Sequence, residues 1–221
     1  MPLTPHPRTE PLLVLASGPF GRAVAAHLDT RPGAVVQNVE HGTHASLWPH
    51  AGAIVLATHA ERPRIAEAVD ATAFIRGIPW LSVILEATEI QAGPLVVPGR
   101  TPCHRCFRQR RAQHTRRQLV LDEPPAAEPS GFARHHVALA AALADAALAD
   151  AGSPKAADDP MLGSVRRFHL VHGTLSRYPV VAVDGCDRCR GRLGPRQHGR
   201  QQLWNTLESE LDTARTPEVL V

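Results

Sequence analysis

The hydrophobic positions in the first part of this chain form short continuous runs, separated by stretches in which apolar residues recur at helical spacing. Continuous apolar runs are typical of strands buried on both faces, whereas apolar residues three and four positions apart indicate helices. The runs predict four strands, at residues 11–16, 34–39, 53–57 and 78–85. Helices are predicted at residues 22–28 and 61–76, the second with apolar positions Ile65, Ala68, Val69 and Phe74 and with Gly77 as its C-terminal cap. This alternation predicts a parallel, Rossmann-like sheet.

The pattern changes in the second half of the chain. Residues 88–91 and 93–98 predict an antiparallel extension of the sheet, so the expected fold class is α/β with a mixed sheet. The other predicted elements are a basic helix at 107–117, a long alanine-rich helix at 131–151, a hairpin of 165–171 and 174–183 about His172-Gly173, and a terminal helix at 202–214. The alanines of the long helix predict close packing against the sheet or another helix.

Length and composition set the remaining bounds. The 221 residues are enough for one sizeable core, and we expect a disordered lead-in at 1–10, one domain at 11–193, and a linker with a terminal helix at 194–221. The net charge of +3 is mild and does not demand a nucleic-acid partner. The longest apolar run is interrupted by Asp145 and is too short to span a bilayer, and the first ten residues do not form a signal peptide. We therefore expect a soluble, cytoplasmic protein with no membrane contact.

The four cysteines of the chain form two Cys-x-x-Cys pairs, Cys103 with Cys106 and Cys186 with Cys189. Two such pairs, brought together in space, supply four thiolates in the tetrahedral arrangement that structural zinc prefers. Two disulfides would require an oxidising compartment, and a thioredoxin-type redox site needs only one pair. We predict a closed structural zinc site with these four residues as ligands. No fifth cysteine remains to act as a nucleophile.

The order of motifs carries a resemblance to a known fold. A predicted strand ends in Thr58-His59-Ala60, a helix leads to Gly77-Ile-Pro79, and an apolar strand precedes Gly-x-x-x-x-x-Gly-x-x-Pro-Cys-x-x-Cys from Gly93 to Cys106. With the second cysteine pair, this order resembles the ThiF-like fold of ubiquitin-activating and molybdopterin or thiamine adenylating enzymes, over about residues 11–193. The segment from Gly93 to Cys106 is similar to the partner proteins of azoline-forming systems, the cyclodehydratase C proteins or precursor-leader-binding components that work with a YcaO enzyme.

The resemblance also shows what the chain lacks for adenylation. That chemistry in the ThiF-like family uses a glycine-rich phosphate loop, an arginine–lysine set and a magnesium-binding aspartate. Here Gly18-Pro-Phe-Gly21 and Arg22 are the candidate nucleotide-binding residues, as a vestigial loop without the full Gly-x-Gly-x-x-Gly spacing, and a plain structural turn is the alternative. His59 stands where the aspartate is expected and offers no oxygen ligand, while the single lysine, Lys155, follows the long helix. We therefore expect no ATP cofactor and no catalytic residue.

The resemblance implies a non-catalytic subunit that presents a precursor peptide to a YcaO-type cyclodehydratase, or activates it, as a homodimer or heteromer. Leader peptides are usually held by a small recognition domain ahead of the ThiF-like part. Because the first strand is predicted to start by residue 11, leader binding is expected on another chain, on an exposed edge strand, or not at all.

Two alternative functions stay open from the sequence. One is an active adenylating enzyme in which Arg22, Arg62 or Arg64 contacts phosphate, with Glu40 as a candidate ribose contact or a plain surface residue. The other is a nucleic-acid-binding module that uses the basic residues 105–117, whose simpler interpretation is a solvated helix face. We expect neither ATP nor nucleic acid to be the main partner.

Overall fold

The structure, a computed structural model, describes residues 11–114, 131–153, 159, 161–189 and 204. The strands of this part are β1 (Leu12–Ser17), β2 (Val35–Asn38), β3 (Ala53–Thr58), β4 (Trp80–Leu85), β5 (Glu89–Ala92), β6 (Val165–His169) and β7 (Thr174–Tyr178). The α-helices are α1 (Gly18–Leu28), α2 (Pro63–Arg76), α3 (His104–His114) and α4 (Arg134–Gly152), and a 3-10 turn covers Ala45–Leu47.

The strands form one seven-stranded mixed sheet in the order β2-β1-β3-β4-β5-β6-β7. The pairs β1–β2, β1–β3 and β3–β4 are parallel, and each later pair is antiparallel. Helix α1 lies between β1 and β2 and helix α2 between β3 and β4, whereas short turns connect the antiparallel pairs β4–β5 and β6–β7. The predicted α/β class with a mixed sheet, the parallel half, the first segment of the antiparallel extension (β5) and the hairpin about His172-Gly173 are confirmed.

Helices cover both faces of β1, β3 and β4, which explains their continuous apolar runs, whereas β2 at the sheet edge is mostly exposed. Along β1, Leu12 and Val14 belong to the core that includes α1 and α4, whereas Leu13 and Leu15 belong to the core that includes α2. The buried alanines of α4, Ala140 among them, allow this helix to lie close to the sheet and to α1, as its composition predicts.

Three predicted boundaries are wrong in ways that bear on function. Helix α1 begins at Gly18 instead of residue 22, because Ser17 is an extended N-cap and Pro19 fits a first helical turn. Helix α3 begins at His104, so the first cysteine pair opens the helix instead of preceding it. Residues 93–98 do not form a strand; they contribute one isolated bridge, between Val96 and Trp80.

The buried face of α2 also differs from the prediction. Val69 is fully buried, whereas Ile65, Ala68 and Phe74 are only partly buried. The residues of α2 that the fold buries are Ala66, Val69, Asp70, Thr72 and Ala73. An acidic side chain therefore lies within the core face of this helix. Gly77 ends α2 with φ of 68°, which confirms the predicted left-handed cap.

The predicted lead-in at 1–10 and the terminal helix at 202–214 lie outside the described residues, except that Trp204 is helical and exposed. The division of the chain at residues 10 and 193 therefore stays a prediction. Among the helices of the described ranges, none has the length and apolar character needed to cross a membrane.

Candidate functional site

The four cysteines meet at one buried point although 79 residues separate the two pairs. Cys103 directly precedes α3 and Cys106 lies in its first turn, while Cys186 and Cys189 lie in the turns that follow β7. All four Sγ atoms lie within 4.8 Å of one another. The prediction that the pairs come together is confirmed.

The geometry of the four sulfurs fits a tetrahedral metal. The Sγ atoms of Cys103 and Cys106 are 3.7 Å apart, and the Cys103–Cys186 and Cys106–Cys189 separations are 3.6 Å. Four thiolates at a zinc–sulfur distance of about 2.3 Å would be separated by about 3.8 Å, whereas a disulfide requires about 2.05 Å. The donor set leaves no position open to a substrate, so it suits a structural metal; the metal itself stays a prediction.

The sulfurs are held in apolar surroundings. Phe74, Ala182 and Val183 pack against the cysteines, and the backbone N–H of Val183 donates to Cys106 Sγ at 3.3 Å. The hydrogen bond to Cys106 and burial together raise the pKa of the Cys103 thiol. A metal that binds here must therefore displace the proton of the Cys103 thiol.

Two charged contacts join the cysteine pairs around this centre. At the surface, Arg105 donates to the carboxylate of Asp187, with Nη1–Oδ2 at 2.6 Å. In the interior, Asp70 of α2 is 0% exposed and accepts hydrogen bonds from Trp80 Nε1 and from the backbone N–H of His104, while Arg188 lies beside its second oxygen. Burial raises the pKa of Asp70, and these contacts act in the opposite direction.

Sequence reasoning missed Asp70, Trp80 and Arg188. The available signal was an acidic residue four positions after Ala66 and three before Ala73, in the middle of what becomes the buried face of α2. Because a charge is rarely buried without partners, that position predicted a polar network. An arginine inside the second Cys-x-x-Cys pair was a candidate partner.

His104 is the other buried polar group at this centre. Its ring packs at 5.1 Å from Trp80 and 5.8 Å from Phe107, measured between centroids. Burial, with Arg108 and Arg111 nearby, lowers the pKa of His104 to about 3. The imidazole is therefore neutral at physiological pH and serves as part of the packing.

The candidate nucleotide loop occupies the first turn of α1. Gly18 has φ of 73°, and a Cβ added at Gly21 would lie 2.2 Å from the carbonyl oxygen of Ala57 on β3. Gly21 is therefore required for the close approach of α1 to β3, whether or not a ligand is present. Arg22, the third predicted residue of the loop, forms an ion pair with Glu40 near the surface.

An aromatic cluster lies beside this loop. His59 directly follows β3, as predicted, and is 3% exposed; its two ring nitrogens have no hydrogen-bond partner within the described ranges. Its ring centroid lies 6.0 Å from that of Phe20 and 6.2 Å from that of Phe132, and the two phenyl rings are 5.4 Å apart. His59, for which the sequence resemblance implies the place of a magnesium ligand, thus contributes to an aromatic cluster. Lys155 lies outside the described residues.

The basic helix α3 is partly exposed, since the side chains of Arg105 and Arg108 are 40% and 38% exposed. Its arginines up to residue 111 contact other groups of the chain. Arg108 pairs with Glu61 at 3.6 Å, Arg110 donates to the Ala182 carbonyl at 3.0 Å, and Arg111 pairs with Glu86 at 2.7 Å. These contacts hold α3 against its neighbours and reduce the positive charge left for a polyanion.

Comparison with known proteins gives likeness of fold only. No family model and no curated protein matches the sequence. A heterocyclase solved with substrate and cofactor matches with a TM-score of 0.61 and 19% identity, over 81% of this chain and 25% of that chain. A chain of the Escherichia coli microcin synthetase McbBCD complex matches with a TM-score of 0.58 and 13% identity, over 80% of this chain and 67% of that chain. The same synthetase with pro-MccB17 bound gives 0.58 and 11%, over 84% and 73%.

These neighbours confirm the predicted resemblance at the level of the fold. The sheet defines a mixed α/β fold that is similar to that of a heterocyclase and that of a chain of the microcin synthetase complex. The present chain spans about a quarter of the length of the heterocyclase that it matches. The likeness therefore gives the fold of this chain, and not its activity, substrate or partners.

Proposed function

We propose that this protein is a non-catalytic, ThiF-like subunit of a ribosomal-peptide-modifying complex, which presents a precursor peptide to a YcaO-type cyclodehydratase or activates that enzyme. The observation that carries the proposal is the fold likeness to a chain of a microcin synthetase complex, over four fifths of this chain and two thirds of that one. The YcaO-type partner supplies the ATP chemistry in this proposal, and the present chain supplies a scaffold in a homodimer or heteromer.

The contacts of the candidate nucleotide loop and of His59 support a scaffold role. Gly21 is explained by helix–strand packing, Arg22 is paired with Glu40, and His59 belongs to an aromatic cluster. The loop therefore presents neither a magnesium ligand nor an unpaired arginine at residue 22. This arrangement favours a subunit without adenylation activity over the alternative, an adenylating enzyme with a divergent site.

We infer further that Cys103, Cys106, Cys186 and Cys189 hold one structural zinc ion. The metal would supply a cross-link between the start of α3 and the segment after β7, and no chemical step passes through it. Metal analysis of freshly purified protein should give close to one zinc per chain, and a metal-free, folded protein would contradict this part of the proposal.

Reconstitution tests the complex directly. The full chain is mixed with ATP, a YcaO-type enzyme and a short Cys/Ser/Thr-rich peptide, both chosen from genes that neighbour its own. Ring formation is followed by mass spectrometry as the loss of one water per ring. We expect rings only when both proteins are present, and ATP hydrolysis only with the YcaO-type enzyme. Equal ring formation without this chain would overturn the proposal.

The adenylating alternative makes the opposite prediction. If the chain activates a substrate by itself, it must exchange pyrophosphate into ATP without any partner, and calorimetry must detect ATP binding. The matched variant is Arg22→Gln, which removes the loop arginine but leaves the two glycines in place. Exchange by the wild type that this variant loses would establish the alternative.

A further inference from the structure

The buried carboxylate of α2, Asp70, lies where the two cysteine pairs meet. Asp70 is 0% exposed, in a position where an isolated carboxylate would be strongly unfavourable. Its contacts must therefore be part of the reason that the fold tolerates it, since a buried charge persists only when it is hydrogen-bonded or paired. Those contacts lead to both halves of the cysteine centre.

One carboxylate oxygen of Asp70 reaches the first cysteine pair. Oδ1 accepts the Trp80 indole N–H at 3.0 Å and the backbone N–H of His104 at 3.3 Å. His104 lies between Cys103 and Cys106 and is the first residue of α3. A carboxylate at this place also meets the positive end of the helix dipole. Asp70 therefore fixes where α3 begins, and with it the first two sulfurs.

The other oxygen reaches the second pair. Arg188, between Cys186 and Cys189, places Nε at 3.4 Å from Asp70 Oδ2. The same guanidinium pairs with Glu67, one turn earlier on α2. Phe74, one further turn along α2, packs directly on the cysteines. One face of α2 thus contacts both pairs, through residues spaced as a helix requires.

We propose that Asp70 is a positioning residue that holds the two Cys-x-x-Cys pairs in register for the metal, by binding a backbone amide of the first and the guanidinium of the second. This inference rests on the proposed zinc site. The role of Asp70 is geometric, since another negative charge beside four thiolates gives no attraction to them, and Arg188 offsets that charge. Removing groups that orient metal ligands typically weakens metal affinity by about 10–100-fold.

Three variants of the full chain separate this role from general stability. Asp70→Ala removes every contact, while Asp70→Asn keeps an oxygen that accepts from Trp80 and His104 but loses the attraction to Arg188. The matched control is Asp150→Asn, which also removes a carboxylate paired with arginine, here Arg166 and Arg177. Asp150 lies on α4, which packs on the sheet face opposite to α2. Zn²⁺ affinity is measured by competition with a chromogenic chelator, and Co²⁺ replaces zinc to report the ligand geometry by absorption.

We expect Asp70→Ala to bind Zn²⁺ about 10–100-fold more weakly than wild type, with an altered Co²⁺ spectrum. Asp70→Asn should restore most of the affinity. After chelation, however, Cys186 and Cys189 of this variant should react with iodoacetamide faster relative to the first pair than they do in wild type. Asp150→Asn should match wild type in both assays.

The outcomes are distinguishable. If the wild-type protein binds neither Zn²⁺ nor Co²⁺, the proposed metal site itself is refuted. Wild type that binds metal while Asp70→Ala binds equally tightly, with the same Co²⁺ spectrum, overturns the positioning role and leaves the metal site standing. If Asp70→Ala does not fold, the alkylation pattern of Asp70→Asn decides, and equal relative reactivity of the two pairs in that variant and in wild type contradicts the inference.

Discussion

Removal of the metal from the cysteine centre gives the sharpest test of its structural role. The cross-link would join Cys106 to Cys186 across 79 residues. By the chain-entropy treatment used for disulfides, closing a loop of that length restricts the unfolded chain by about 4–5 kcal/mol. Domains of this kind unfold with free energies of about 5–15 kcal/mol, so the loss of the metal should leave the fold marginal.

The assay is equilibrium unfolding in urea, followed by far-ultraviolet circular dichroism, with zinc or with a chelator. For a slope of about 2 kcal/mol per molar urea, the midpoint should fall by about 2 M when the metal is removed. Cys186→Ser should unfold at the lower midpoint even with zinc present. Since this variant has already lost the cross-link, the chelator should shift its midpoint far less than that of wild type.

A specific result would refute the reasoning. If metal analysis shows that the chelator has stripped the wild type, and its urea midpoint is nevertheless unchanged, the cysteine centre does not cross-link the fold. Lowering the pH should also lower the urea midpoint, because the raised pKa of Cys103 lets protons compete with the metal for its sulfur.

Three further outcomes are expected. Gly21→Ala should lower the unfolding free energy by about 1–3 kcal/mol in urea titrations, more than Gly18→Ala, because its methyl group meets the Ala57 carbonyl; equal losses would contradict this. The His104 ring should show no NMR titration between pH 5 and 8. Burial lowers the pKa of His104 to about 3, so below pH 6.5 the unfolded chain binds a proton that the folded chain does not. The unfolding free energy, compared with that of His104→Phe, should therefore be constant above pH 6.5 and fall as the pH is lowered towards 3. Binding to generic RNA or DNA at low salt should be undetectable by fluorescence anisotropy, because the described arginines of α3 have partners within the chain; tight, salt-sensitive binding would refute this.

The parts of the fold that follow from local pattern were predictable. Continuous apolar runs marked β1, β3 and β4 because both faces of these strands are covered. Paired cysteine spacing marked the centre because such pairs are typical of tetrahedral metal sites. The left-handed cap at Gly77 was readable for a similar reason, since few other residues adopt that conformation.

Long-range contacts explain the rest. The start of α3 at His104 depends on Asp70, which is 34 positions away along the chain. Residues 93–98 have a strand-like composition, but their backbone meets β4 only at Trp80 and Val96. In each segment the local sequence was compatible with more than one backbone structure, and a contact with a distant part of the chain selected the one observed.

The contacts that anchor the cysteine centre are separate from those of the candidate nucleotide loop. The hairpin β6–β7 lies at the edge of the sheet, and Asp150 of α4 holds it through Arg166 and Arg177. The segment after the hairpin is held separately, by the cysteines and by Arg188 against α2. Since α4 and α2 pack on opposite faces of the sheet, the hairpin and its continuation are anchored from both sides. None of these side-chain contacts involves Gly18, Gly21, Arg22 or His59, so changes at those positions leave the contacts of this edge in place.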